Sequence, residues 1–129
     1  MKAFIDSDVL IWHLRGERKA LNLIRKLRDQ EQFELWTGVM QRAEVFFFMK
    51  PNEEENTHLF LSQIQTAPVD QKIIDKAGEL YRKWNPRHGI DINDAILAAT
   101  TMQTNGRIYT LNVKHYPMPD VIVQQAWKV

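Results

Sequence analysis

The sequence predicts an α/β fold, a single domain over residues 1–129 with a mainly parallel central sheet flanked by helices. Three observations predict it. Short apolar runs of strand length alternate along the chain with longer stretches of helical periodicity. A chain of 129 residues is long enough for one ordinary core and too short for two. Polar groups close the first and a late apolar run, Asp6 and Asn112, and in parallel sheets ligands gather at that edge.

The elements follow in order. Residues 2–6 read as a buried strand, and Asp6, Ser7 and Asp8 can cap a helix from about Val9 to Leu14. Gly16 breaks it, and Leu21, Leu23, Ile24 and Leu27 form the apolar stripe of a helix over 17–29. Phe33 to Thr37 is a second strand, with Gly38 as its turn. A helix runs from Val39 to about Lys50, where Pro51 stops it, and a polar helix follows from Asn52 to Gln65. A very short third strand is expected within Ala67–Asp70, then a helix carrying Ile73, Ile74, Ala77, Leu80, Tyr81 and Trp84. Asn85 to Gly89 is expected as a loop. The helix from about Asp91 to Gln103 is apolar nearly all round, hence buried. Gly106 follows it, Arg107 to Leu111 is a strand, and Val121 to Val123 a weaker one.

Composition narrows the chemistry. The chain is 44% hydrophobic and 26% charged, with 17 Lys and Arg against 16 acids, so net charge does not announce a polyanion binder. It has no cysteine, which excludes disulfides, thiol catalysis and cysteine zinc sites and fits a reducing cytoplasm. The opening residues lack a signal-peptide core, and no apolar run approaches a membrane span, so a mature start near Met1 is expected. Between His13 and Arg28 six basic residues face the single acid Glu17, a run that reads most simply as a solvated helix face. The four histidines show no ligand spacing and are expected on the surface or in loops, and the four tryptophans in the core or an interface.

Asp6, Glu44 and Asp94 are acids set in apolar sequence in three separate segments. Glu44 is the oddest, since Met40, Ala43, Phe47 and Phe48 share its helix face. Asp94 falls in the first turn of the buried helix, where the helix dipole favours a carboxylate. Carboxylates converging on one apolar-walled crevice repel one another and are costly to desolvate unless a cation joins them. With oxygen ligands only, Mg2+ or Mn2+ fits best, and such ions can activate water for phosphodiester cleavage. Each residue alone also has an ordinary role: Asp6 or Asp8 as an N-cap, Asp91 with Asp94 as a capping box, Glu44 paired to an Arg, Asn112 in a turn. Their shared edge favours the metal reading.

At these residues the chain resembles the PIN-domain ribonucleases, and most of all the VapC-type toxins of bacterial toxin-antitoxin pairs. Phe4 to Ile11 is similar to the family's opening, Glu44 falls at its mid-chain acid, Asp94 to Thr100 at its signature helix, and Tyr109 to Tyr116 at the segment holding its fourth polar position. The resemblance implies a metal-dependent endoribonuclease that cuts structured RNA, a small VapB-like antitoxin as partner, and a homodimer. By carry-over Asp6 and Asp94 are the main metal ligands, Glu44 binds or positions metal and water, and Asn112 completes the catalytic set. Asp8 and Asp91 are candidates for supporting roles. Two departures stand out: Asp8 occupies a position more often Asn or Ser, and Phe47 and Phe48 replace a Gly often found beyond the mid-chain acid. Arg15, Arg18, Arg82, Lys83, Arg87 and Lys114 are candidate RNA contacts by charge and position.

Two rival readings remain open from sequence. One is a haloacid-dehalogenase-like phosphatase with Asp6 as nucleophile and Asp8 as acid/base. The other is a catalytically inactive PIN domain that only binds nucleic acid or an antitoxin.

Overall fold

The computed structural model describes residues 1–129. Five strands form one parallel sheet in the order β3-β2-β1-β4-β5: β1 Lys2–Ile5, β2 Glu34–Gly38, β3 Gln65–Ala67, β4 Arg107–Thr110 and β5 Ile122–Gln125. Six α-helices connect and cover them: α1 Ser7–Leu14, α2 Arg18–Arg25, α3 Val39–Phe47, α4 Glu54–Leu61, α5 Gln71–His88 and α6 Ile92–Thr104.

Strand β1 is central and buried on both faces, so its run Ala3-Phe4-Ile5 is continuously apolar. Successive side chains serve opposite cores. Phe4 and Ile108 pack with α5 and α6, while Ala3, Ile5 and Tyr109 pack with α1, α2, α3 and α4. Gly106 owes its place to this packing, because a Cβ there would overlap the ring of fully buried Phe4. Gly106→Ala should therefore cost about 1–3 kcal/mol by overpacking, read as a lowered urea midpoint with an unchanged slope.

Four expected elements differ from the structure. The third strand is Gln65–Ala67 and not within Ala67–Asp70, because Pro68 has no N–H for the ladder and the chain pairs just before it, Thr66 opposite Thr37. The helix expected over 52–65 is shorter. A 3-10 turn at Pro51–Glu53 leads into α4, which ends at Leu61 so that Ile64 can bury. The expected loop at 85–89 is the last turn of α5, with Pro86 inside it. A proline there sacrifices one intrahelical bond, and the end is secured otherwise: Gly89 at φ 63° donates to Asn85 O, and Asn85 Nδ2 donates to Ile90 O at 2.9 Å. The helix expected to end near residue 29 passes from α2 into a π-helical turn at Lys26–Gln30.

No helix is long and apolar enough to cross a membrane.

Candidate metal centre at the carboxyl edge of the sheet

The carboxyl ends of β1 and β4 and the amino ends of α1 and α6 meet at one edge, with α3 beside them. Asp6 follows β1 and caps α1, its Oδ1 accepting from Ser7 N at 2.8 Å. Its Oδ2 accepts from Thr110 Oγ1 at 2.9 Å and from Tyr116 Oη at 2.8 Å. The capping role and the site role thus coincide in one residue. Asp6 is only 8% exposed, and burial, with the charge of Asp8 next, holds its carboxyl above the usual carboxylate range.

Asp94 forms the capping box foreseen with Asp91: Asp94 N donates to Asp91 Oδ1 at 2.7 Å and Asp91 N donates to Asp94 Oδ2 at 3.1 Å. The box fixes Asp94 without using its other oxygen. Asp94 Oδ1 faces the Tyr116 hydroxyl at 3.4 Å, so one phenol spans both acids. Burial, together with the charges of Asp91 and Asp6, pushes the Asp94 carboxyl up to about 7.

Glu44 on α3 is half-buried, and burial raises its carboxyl too. Its oxygens accept from Ser7 Oγ on α1 and from Asn93 Nδ2 on α6, each at 3.1 Å, which ties it between the two helices that carry Asp6 and Asp94. The ordinary alternative for Glu44, an Arg partner, is not what the structure holds. No Lys or Arg lies within ion-pair distance of Asp6, Asp8, Glu44, Asp91 or Asp94.

Asn112 joins the edge by another route. Its Nδ2 donates to Asp8 Oδ2 at 3.3 Å, and the same oxygen accepts from Leu111 N at 3.0 Å, with Thr110 Oγ1 at 3.3 Å as its longer alternative to Asp6. Asp8 is therefore engaged with the end of β4.

Sequence reasoning missed Tyr116, Thr110, Ser7 and Asn93, whose hydroxyls and amide hold the acids. It gave no site role to His115, which lies, as expected, in a partly exposed turn, yet has its Nδ1 3.5 Å from Asp94 Oδ2, the one basic side chain in reach of the cluster. Of the candidate RNA contacts, all six are exposed. Arg15 borders the same hollow as Glu44, and Lys114 lies in the turn after Asn112. Arg82 and Lys83 instead line a hollow beside Met102 and Met118 that none of the site acids shares. Trp36, Trp84 and Trp127 pack partly against the cores, whereas Trp12 is exposed.

These side chains do not close into a ready cage of three or more ligands. That suits an ion which keeps most of its water and takes one or two carboxylates. The donor set fits as well: buried carboxylates, oxygen only, held by neutral donors, with no Lys or Arg to neutralise them. Asp6 and Asp94, with Glu44 beside them, are the residues able to hold such an ion.

The PIN domain family model matches residues 3–116, nearly the whole span that carries this edge. The chain belongs to the PIN domain family. Among curated relatives it is 31% identical over 119 residues to Ribonuclease VapC19 of Mycobacterium tuberculosis, covering 91% of this chain and 94% of that protein. It is also 31% identical to Ribonuclease VapC10 of the same organism over 115 residues, 88% of this chain and 85% of that protein. Solved structures share the fold. VapBC2 from Rickettsia felis bound to a promoter DNA fragment matches with TM-score 0.80 at 19% identity, over 96% of this chain and 98% of that one. A toxin-antitoxin complex from Klebsiella pneumoniae matches with TM-score 0.79 at 20% identity, over 98% and 99%. PIN membership disposes of the haloacid-dehalogenase reading, and Asp8, bound by Leu111 N and Asn112 Nδ2 at the β4 end, is poorly placed as that reading's acid/base.

Proposed function

We propose that this protein is an endoribonuclease toxin of the VapC type, dependent on Mg2+ or Mn2+, that cuts structured RNA and is inhibited by a small VapB-like antitoxin in the cytoplasm. The observation that carries the reading is the convergence of Asp6, Glu44 and Asp94 at one buried edge with no Lys or Arg to neutralise them. The VapC ribonucleases of Mycobacterium tuberculosis support it by likeness over most of the chain.

Asp6 and Asp94 would hold the ion, and Glu44, fixed by Ser7 and Asn93, would orient water beside it. The ion, when bound, supplies positive charge to an RNA phosphate and lowers the pKa of water. Arg15, which borders the same hollow as Glu44, and Lys114, in the turn after Asn112, are exposed and are the basic residues we assign to RNA phosphates. Partner-free protein should degrade RNA with Mg2+ or Mn2+ and stop on chelation. No cleavage of any cellular RNA under those conditions would leave only the reading of an inactive, binding PIN domain.

Two surfaces support the partners. The hollow between α1, α3 and α4, lined by Ile11, Leu14, Val45, Phe48 and Met49, opens beside Arg15 and Glu44 and suits an apolar segment of an antitoxin. On α5 and α6, Ile74, Tyr81 and Ile92 form a second apolar hollow, with Ile92 62% exposed. We assign the homodimer contact to this second face. Ile92→Glu should turn a dimer into a monomer in light scattering while the circular dichroism spectrum stays that of the folded wild type. A wild type that is already monomeric, or a variant that stays dimeric, removes the assignment.

A further inference from the structure

Tyr116 is only 2% exposed and is the one side chain within hydrogen-bond distance of both Asp6 and Asp94. Its hydroxyl shares Asp6 Oδ2 with Thr110 Oγ1, at 2.8 and 2.9 Å. A carboxylate oxygen offers about two lone-pair directions, so these two donors fill Oδ2. Oδ1 accepts from Ser7 N alone and keeps one direction free.

We propose that Tyr116 is a positioning residue: with Thr110 it occupies Oδ2 of Asp6, so that Asp6 offers a cation one oxygen only, and the site thereby favours small ions over large ones. This rests on the cation-dependent reading above. A small ion such as Mg2+ is satisfied by single carboxylate oxygens and water, whereas Ca2+ takes about six to eight oxygens and readily uses both oxygens of a carboxylate. For Ca2+ to take both oxygens of Asp6, Tyr116 or Thr110 must give up its bond. The alternatives they would fall back on are longer, Asp94 Oδ1 at 3.4 Å for Tyr116 and Asp8 Oδ2 at 3.3 Å for Thr110. A buried donor turned to a worse acceptor is a cost that falls on the large ion and spares the small one.

The test is calorimetric titration of Mg2+ and of Ca2+ into the metal-free full chain, without RNA, for wild type, Tyr116→Phe, Thr110→Val and Thr110→Ser. Both deletions of a hydroxyl should raise the Ca2+ affinity relative to Mg2+ by about fivefold, the scale of one hydrogen bond, and Thr110→Ser should restore the wild-type ratio. A merely structural loosening would weaken both ions by one factor. That result, or an unmoved ratio, overturns the proposal while wild-type Mg2+ binding still supports the cation reading. A wild type that binds neither ion overturns both. If Tyr116→Phe does not fold, Thr110→Val decides the matter, since it frees the same oxygen.

Discussion

Asp6→Asn is expected to abolish RNA cleavage, by about a thousandfold or more, and to leave the metal-free protein at least as stable as wild type at neutral pH. The two halves have one cause. Asp6 sits 8% exposed among neutral donors with Asp94 and Glu44 nearby, so its charge is held there against desolvation and repulsion. A carboxamide removes that charge and fits the same contacts, its oxygen accepting from Ser7 N while its NH2 donates to the hydroxyls of Thr110 and Tyr116, which can also accept. Asp94→Asn should behave alike, because its carbonyl oxygen can still accept from Asp91 N and keep the capping box. Cleavage rate and melting temperature on the same preparations check both halves. Cleavage surviving in Asp6→Asn would remove that residue from the site, and loss of the fold along with cleavage would make its role structural. A structural acid and a functional acid differ here in sign: replacing the first costs stability, replacing the second gains it.

The three acids were legible because their places depend on periodicity alone. A strand that ends at Ile5, a helix that starts near Ile92 and an apolar stripe interrupted at Glu44 are local facts, and a parallel sheet then carries two of the acids to one edge. The side chains that hold them were not legible for the same reason. Tyr116 and Thr110 reach Asp6 across 110 and 104 positions of sequence, and a Tyr or Thr within apolar sequence reads as core. Asn112 was read toward the site and lies at the same edge, where it bonds Asp8, the residue that departs from the family's usual Asn or Ser. The loop misread at 85–89 shows the limit of Pro as a signal. Pro86 stands in the final turn of α5, where one lost bond is cheap and Gly89 supplies the stop.

Without divalent ion, the protein should lose stability as pH rises from about 4 to about 7, and Mg2+ should reverse that slope. In the unfolded chain the Asp94 carboxyl titrates near 3.8, whereas in the fold burial and the charges of Asp91 and Asp6 push it up to about 7. Between those values the folded state holds a proton that the unfolded chain has released, so stability falls with rising pH through the window and levels off above it. Asp6, Asp8 and Glu44 are displaced upward as well and add to the same slope. A bound cation needs the ionised acids, so its stabilising effect grows over the same window, reaching about 2.7 kcal/mol at a hundredfold excess over its dissociation constant. Melting curves recorded from about pH 5 to about pH 8 should therefore diverge with and without Mg2+, and Asp94→Asn should flatten the metal-free curve. A metal-free melting temperature that climbs across that range would show the acids paired with something other than the vacant charge this edge implies. A Mg2+ effect equally large at both ends would place the ion away from Asp94.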